Sequence, residues 1–215
     1  MSAPEIVVID YGVGNLLSVQ RGFEHCGAKV VLTADPEKIL YAKRVVLPGV
    51  GAFASAMTAL NNLGLVEVIR ELSVRKIPLL GICLGMQLLL EESQEYGITE
   101  GLGLIPGRVV PVPGHTLLGD VQKNPHIGWS ALQPSNKHMD WKNTLLKDNH
   151  QGEAVYFVHS YMADTKYISH RIADCLYGGH KIPAMIGNDH IIGCQFHPEK
   201  SGEVGLKILR RFCVD

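Results

Sequence analysis

No uninterrupted apolar stretch in the 215-residue chain reaches the ~18 residues of a membrane-spanning helix, so no segment is expected to cross a bilayer. Charge is equally sparse. The 20 Lys and Arg against 21 Asp and Glu leave a net charge of −1 with no basic run, which argues against nucleic acid or an anionic membrane surface as partner. Residues 1–5 lack a basic n-region, and the apolar run at 6–9 is too short for a signal-peptide core. A soluble, cytoplasmic setting is expected. The five cysteines (Cys26, Cys83, Cys175, Cys194 and Cys213) are odd in number and widely spaced, with no C-x-x-C, which disfavours a disulfide framework or structural zinc. The ten histidines show no ligand spacing such as H-E-x-x-H, so no metal is expected. What the chain does have is a 46% apolar composition, which excludes intrinsic disorder and gives one domain over residues 1–215 enough material for a core.

The first half alternates β-branched runs with helical patterns. Strands are expected at 6–9, 29–32, 44–47 and 78–82, and helices at 15–26, 36–41, within 52–75 with a break near 61–64, and at 84–92. Apolar strands separated by helices indicate βαβ units and a parallel sheet covered on both faces. From residue 97 onward Gly and Pro become frequent. Further strands are expected at 108–112, 127–132, 154–158, 168–173, 183–186 and 191–196, the last two joined in a hairpin at Asn188-Asp189. A final helix is expected at 201–212, with Ser201 as N-cap, Glu203 in its first turn and Lys207, Arg210 and Arg211 near its end. The expected fold class is therefore α/β: a single domain with a central, mostly parallel but mixed sheet, helices on both faces and an antiparallel extension in the second half.

Three segments carry chemistry. In Gly81-x-Cys83-x-Gly85, an apolar strand meets a helix at a cysteine flanked by small residues two positions away. A nucleophile on a sharp strand-to-helix turn needs that spacing, because the strained backbone brings those atoms close. The start of a helix favours the reactive thiolate, and the N–H of Leu84 points where an oxyanion would form. The alternative is a core cysteine beside two packing glycines. In Gln195-Phe-His197-Pro-Glu199, His197 can serve as base and Glu199 as the acceptor that orients it; the alternative is a surface turn. Strands of a parallel sheet end on a common edge, so Cys83 and His197 can meet across 114 residues of sequence. In Pro48-Gly-Val50-Gly51, another strand-end glycine loop, the N–H of Val50 or Gly51 can supply a second oxyanion donor; a tight turn before a helix is the alternative.

Asp10-Tyr-Gly-Val-Gly-Asn15 has part of a dinucleotide fingerprint. However, Leu17 stands at the third glycine position and no acidic residue follows the next strand until Asp35, so no nucleotide cofactor is expected.

Together these segments resemble the class I (triad) glutamine amidotransferases, whose signature pairs a G-x-C-x-G elbow with a late H-P-E. The resemblance extends over nearly the whole chain, including Pro125-His-Ile-Gly-Trp129 and Phe157-Val-His-Ser-Tyr161. Within the family it is closest to glutaminase subunits that serve a separate (β/α)₈ cyclase in histidine biosynthesis. It implies glutamine hydrolysis through a cysteinyl thioester, no cofactor, and ammonia passed to the cyclase, which makes imidazole glycerol phosphate. It further implies that Gln87, Glu95, His159, Ser160 and Tyr161 bind substrate and that Asn15, Trp129, Tyr156 and Lys200 face the cyclase. Two other readings remain open: a paralogous glutaminase supplying a different synthase, and a docking module of the same fold without catalysis.

Overall fold

Odd and even residues of the first strand enter two different cores. The computed structural model describes residues 3–137 and 139–214. In β1 (Glu5–Ile9), Ile6 and Val8 join one apolar cluster while Val7 and Ile9 join the other. Strands buried on both faces read as continuous apolar runs because alternation has no polar side to show. The following elements are α1 (Leu16–His25), β2 (Lys29–Thr33), α2 (Pro36–Leu40), β3 (Val45–Gly49), α3 (Phe53–Asn62), α4 (Leu65–Val74), β4 (Leu79–Cys83) and α5 (Leu84–Leu88). Local signals set several ends. Asp35 accepts a hydrogen bond from Glu37 N at 3.0 Å with Pro36 in the first helical turn. Gly64, at φ 66°, separates α3 from α4.

The second half adds β5 (Glu92–Ser93), β6 (Thr99–Glu100), β7 (Gly107–Pro111), β8 (His126–Ala131), β9 (Gln133–Pro134), β10 (Ala154–His159), β11 (Tyr161–Thr165), β12 (Arg171–Tyr177), β13 (His180–Asn188), β14 (Ile191–Cys194) and α6 (Gly202–Val214). The main sheet has the order β2-β1-β3-β4-β14-β13-β12-β9. Its first five strands run parallel and its last three antiparallel, so the last strand in sequence lies at the centre, in register with β4. One face carries α1 and α6, contributing Val19, Phe23, Ile208, Leu209 and Phe212 to the first core. The other carries α2, α3 and α4, contributing Ile39, Leu60, Leu65, Ile69 and Leu72 to the second. Two small sheets, β10-β8 and β11-β7-β5-β6, lie beside them. The expected α/β class is the observed one.

Two expectations fail locally, and a third holds in part. The helix expected over 84–92 stops at Leu88, because the carbonyls of Leu88, Leu89 and Leu90 accept from Leu102, Leu104 and Gly103 instead of continuing the helix. The strand expected over 168–173 begins only at Arg171, and Ile168–His170 form a 3₁₀ turn with Ile168 exposed. Ser201 holds the expected place before α6, its carbonyl accepting from Gly205 N, but its hydroxyl donates to His197 O and accepts from Tyr156 N, so the side chain braces the last loop. Strand β11 was absent from the sequence reading; only Ala163 of its five residues is fully buried, so no alternation marks it.

Candidate active site

The turn from β4 into α5 places Cys83 at φ 56°, ψ −111°, a conformation that L-residues rarely adopt. Its two glycines are sterically required. A Cβ on Gly81 would lie 2.6 Å from Gly85 O, and one on Gly85 would overlap the Leu47 carbonyl oxygen of β3. Close approach of α5 to two strands thus explains the G-x-C-x-G spacing. Because α5 has only five residues, the local free N–H groups of its first turn matter more than a long macrodipole.

The central position of β14 brings His197 to the same sheet edge. Its Nδ1 lies 2.7 Å from Glu199 Oε1, and the two side chains are only 4% and 1% exposed. Burial lowers the imidazole pKa, but the Cys83 side chain and the Glu199 carboxylate outweigh it and hold His197 up at about 9. With Nδ1 committed to Glu199, Nε2 is the atom left for Cys83, and it makes no fully aligned hydrogen bond. Catalytic contacts are often loose before substrate arrives. The sulfur itself has Val158 O at 3.9 Å and Gln195 Nε2 at 3.8 Å. Burial raises the thiols of Cys26, Cys175 (to about 12), Cys194 and Cys213 (to about 11), which makes them inert packing groups.

A cavity of about 420 Å³ opens over this pair. Val50, Gly51, Leu84, Gln87, Glu95, His159, Ser160 and Tyr161 all line it, together with Pro125 and Val158, for which no site role was expected. A larger hollow of about 620 Å³ around Glu91, Arg108 and Asp164 is lined by no cysteine or histidine, and the exposed Arg108–Asp164 ion pair at 3.2 Å forms part of its wall. Cys83 and His197 both line the smaller cavity. Glu95 lies in the turn after β5, not at a helix end, and its carboxylate accepts from Phe53 N at the start of α3. A carboxylate there complements the helix N-terminus and ties the glycine loop to the far wall.

Two bracing contacts carry no mark in the sequence. Tyr11 is 3% exposed, and its hydroxyl donates to Pro48 O at 2.9 Å, so the Asp10–Asn15 glycine loop supports the Val50–Gly51 loop. Ser201, described above, ties His197 to β10. Among the residues expected to meet a partner, Asn15 and Lys200 are exposed and Trp129 is 58% exposed. Trp129 faces Tyr156 across the β8–β10 pair, their rings 6.1 Å apart and T-shaped. Among the described residues no group of His, Cys, Asp and Glu could hold a metal ion, and no helix is long and apolar enough to cross a membrane.

The arrangement can do nucleophilic chemistry: a sulfur on a strained turn, an imidazole oriented by a carboxylate, and a cavity of amino-acid size beside them. The family model for class-I glutamine amidotransferase matches residues 7–215. The chain is 50% identical over 207 residues to imidazole glycerol phosphate synthase subunit HisH 1 of Legionella pneumophila (strain Lens), covering 96% of this chain and 97% of that one. It is 46% identical over 208 residues to subunit HisH of Lactococcus lactis subsp. lactis (strain IL1403), covering 97% of each. Among solved structures it is similar to a glutamine amidotransferase (TM-score 0.70, 15% identity, 94% of each chain). It is likewise similar to a chain of PurLQS from Thermotoga maritima (TM-score 0.70, 18% identity, 98% of this chain and 97% of that one).

Proposed function

From the premise that the chain belongs to the class I glutamine amidotransferases, we propose that it is the glutaminase subunit of an imidazole glycerol phosphate synthase in histidine biosynthesis. The observation that supports the chemistry is that Cys83 and His197 line one cavity, with Glu199 hydrogen-bonded to the far side of the His197 ring. Cys83 attacks the glutamine carboxamide carbon, and the N–H groups of Leu84 and the Val50–Gly51 loop receive the oxyanion. The His197 imidazolium protonates the departing ammonia, leaving a γ-glutamyl thioester. Water, deprotonated by the now neutral His197, then cleaves the thioester to glutamate and returns the thiol. Gln87, Glu95, Ser160 and the backbone of His159 and Tyr161 hold the amino-acid end of the substrate.

Ammonia released into bulk water would become ammonium and lose its nucleophilicity, so it passes directly into a docked (β/α)₈ cyclase. The docking face comprises Asn15, Trp129, Tyr156 and Lys200. Its support is that the β8–β10 face bearing exposed Ile127 and Trp129 also bears Val158, which lines the cavity. A heterodimer in the cytoplasm, without nucleic acid or membrane, fits the near-zero net charge. In Cys83→Ala, glutamine-dependent synthesis by the purified complex should vanish while ammonia-dependent synthesis survives. Normal glutamine turnover by the variant would reject the mechanism. Affinity capture of the intact chain should retain a (β/α)₈ cyclase, and capture of an unrelated synthase instead would reject the pathway assignment.

A further inference from the structure

Two buried histidines, His159 lining the cavity and His126 beyond it, form a chain of hydrogen bonds that the triad chemistry does not use. His126 is 1% and His159 6% exposed, and they are register partners on β8 and β10. His126 Nδ1 lies 3.0 Å from His159 Nε2, His126 Nε2 lies 2.9 Å from Ser130 Oγ, and His159 Nδ1 lies 2.8 Å from the Tyr161 carbonyl oxygen. A carbonyl only accepts, so His159 carries its proton on Nδ1 and leaves Nε2 bare. His126 must then donate from Nδ1 and accept at Nε2 from the Ser130 hydroxyl. One neutral tautomer of each ring satisfies every contact. The surroundings hold both rings in that state. Phe157 and Tyr177 both stack on His126, with centroids 4.9 and 4.0 Å away. Burial lowers the pKa of His126 and, with the nearby His126 and His197 also opposing charge, brings that of His159 down to about 4.

The same Tyr161 carbonyl accepts from Gln87 Nε2 at 3.0 Å, and that nitrogen's second hydrogen goes to Gln195 Oε1, also at 3.0 Å. Two acceptors thus hold the Gln87 amide in one polarity. Flipping it would set its oxygen against both. Gln87 Oε1 is therefore left as an acceptor beside the cavity, the complement of an ammonium group.

We propose that His126 is a positioning residue for substrate: by holding His159 in its Nδ1–H tautomer it fixes the Tyr161 carbonyl, and through it the Gln87 amide that receives the α-ammonium of a bound amino acid. This rests on the glutaminase reading for the identity of the substrate, but the hydrogen-bond order itself does not. His126→Phe keeps the stacking on Phe157 and Tyr177 and removes the donor. Assayed with the cyclase partner, it should raise KM for glutamine by about tenfold, the scale of one impaired charge-assisted hydrogen bond, with kcat changed much less. Its rate of Cys83 alkylation by iodoacetamide should equal that of the unsubstituted protein, because the sulfur and His197 are not displaced. His126→Asn, whose amide nitrogen can replace Nδ1–H, should restore most of the KM.

A folded His126→Phe with unchanged KM, or His126→Asn as impaired as His126→Phe, would overturn the proposal. If His126→Phe does not fold, ¹⁵N-edited NMR of the histidines in the unsubstituted chain decides it. Both rings should be Nδ1–H tautomers at neutral pH, and an Nε2–H tautomer at His159 would overturn it. Absence of glutamine turnover in the unsubstituted complex would instead reject the glutaminase reading, an outcome separable from the NMR result.

Discussion

Glu199→Gln isolates what the buried carboxylate does for the base. Its Oε1 sits 2.7 Å from His197 Nδ1, with both side chains almost wholly buried. Burial alone would depress the imidazole, yet it is held at about 9 against an ordinary 6.5, a net stabilisation of the imidazolium worth roughly 3 kcal/mol. Cys83 and Glu199 supply that stabilisation together. A glutamine oxygen can still accept from Nδ1, so the tautomer and geometry survive while the negative charge is lost. Removing one charge-assisted hydrogen bond of this kind costs about 1.5–3 kcal/mol, which lowers the imidazole by about one to two pH units. In the proposed mechanism the alkaline limb of kcat/KM reports loss of the imidazolium that protonates ammonia, so it should move from near 9 toward neutrality. At pH 8 the protonated fraction, and the rate with it, should fall by about two- to tenfold, approaching the full ten- to hundredfold only well above pH 9. The assay is glutamate release by the complex across the pH range, with circular dichroism verifying the fold. An alkaline limb that stays in place, with the rate little changed, would refute the claim that Glu199 acts through charge.

Gly85→Ala should be far more damaging than its size suggests, because the new Cβ meets the Leu47 carbonyl and neither backbone can yield cheaply. A loss of at least about 3 kcal/mol in urea unfolding is expected, and a loss below about 1 kcal/mol would contradict the packing account. The two histidines make opposite contributions to pH stability. His197, raised in the fold, stabilises fully below the unfolded pKa of 6.5, and that contribution disappears as pH rises through about 9. His159, depressed in the fold, stabilises above 6.5, and that contribution is lost as pH falls through about 4. Unfolding free energies measured for His159→Asn should therefore fall less between pH 6.5 and 4 than those of the unsubstituted chain. Parallel curves would rule this out.

The residues that gather around the cavity were mostly legible in the chain itself. Glycines two positions either side of Cys83 mark the crowded, strained turn in the sequence even though part of the crowding comes from β3, and His197 and Glu199 lie close enough in sequence to meet without help from the rest of the fold. The strand and helix order of the first half was equally visible, because two-faced burial writes itself into continuous apolar runs. What stayed hidden depends on partners distant in sequence. The α5 helix ends where it does because residues 102–104 capture its carbonyls. The hydroxyl of Tyr11 acquires a role only when Pro48 arrives 37 residues later.

His126 and His159 likewise read as two unrelated ring side chains until β8 and β10 pair and leave each only one tautomer. Sequence alone settles features whose energetics are local: turn strain, apolar periodicity and the chemistry of neighbouring side chains. Only the tertiary structure decides which donor meets which acceptor, since a buried polar group takes its partner from whatever the packing of remote segments places within about 3 Å.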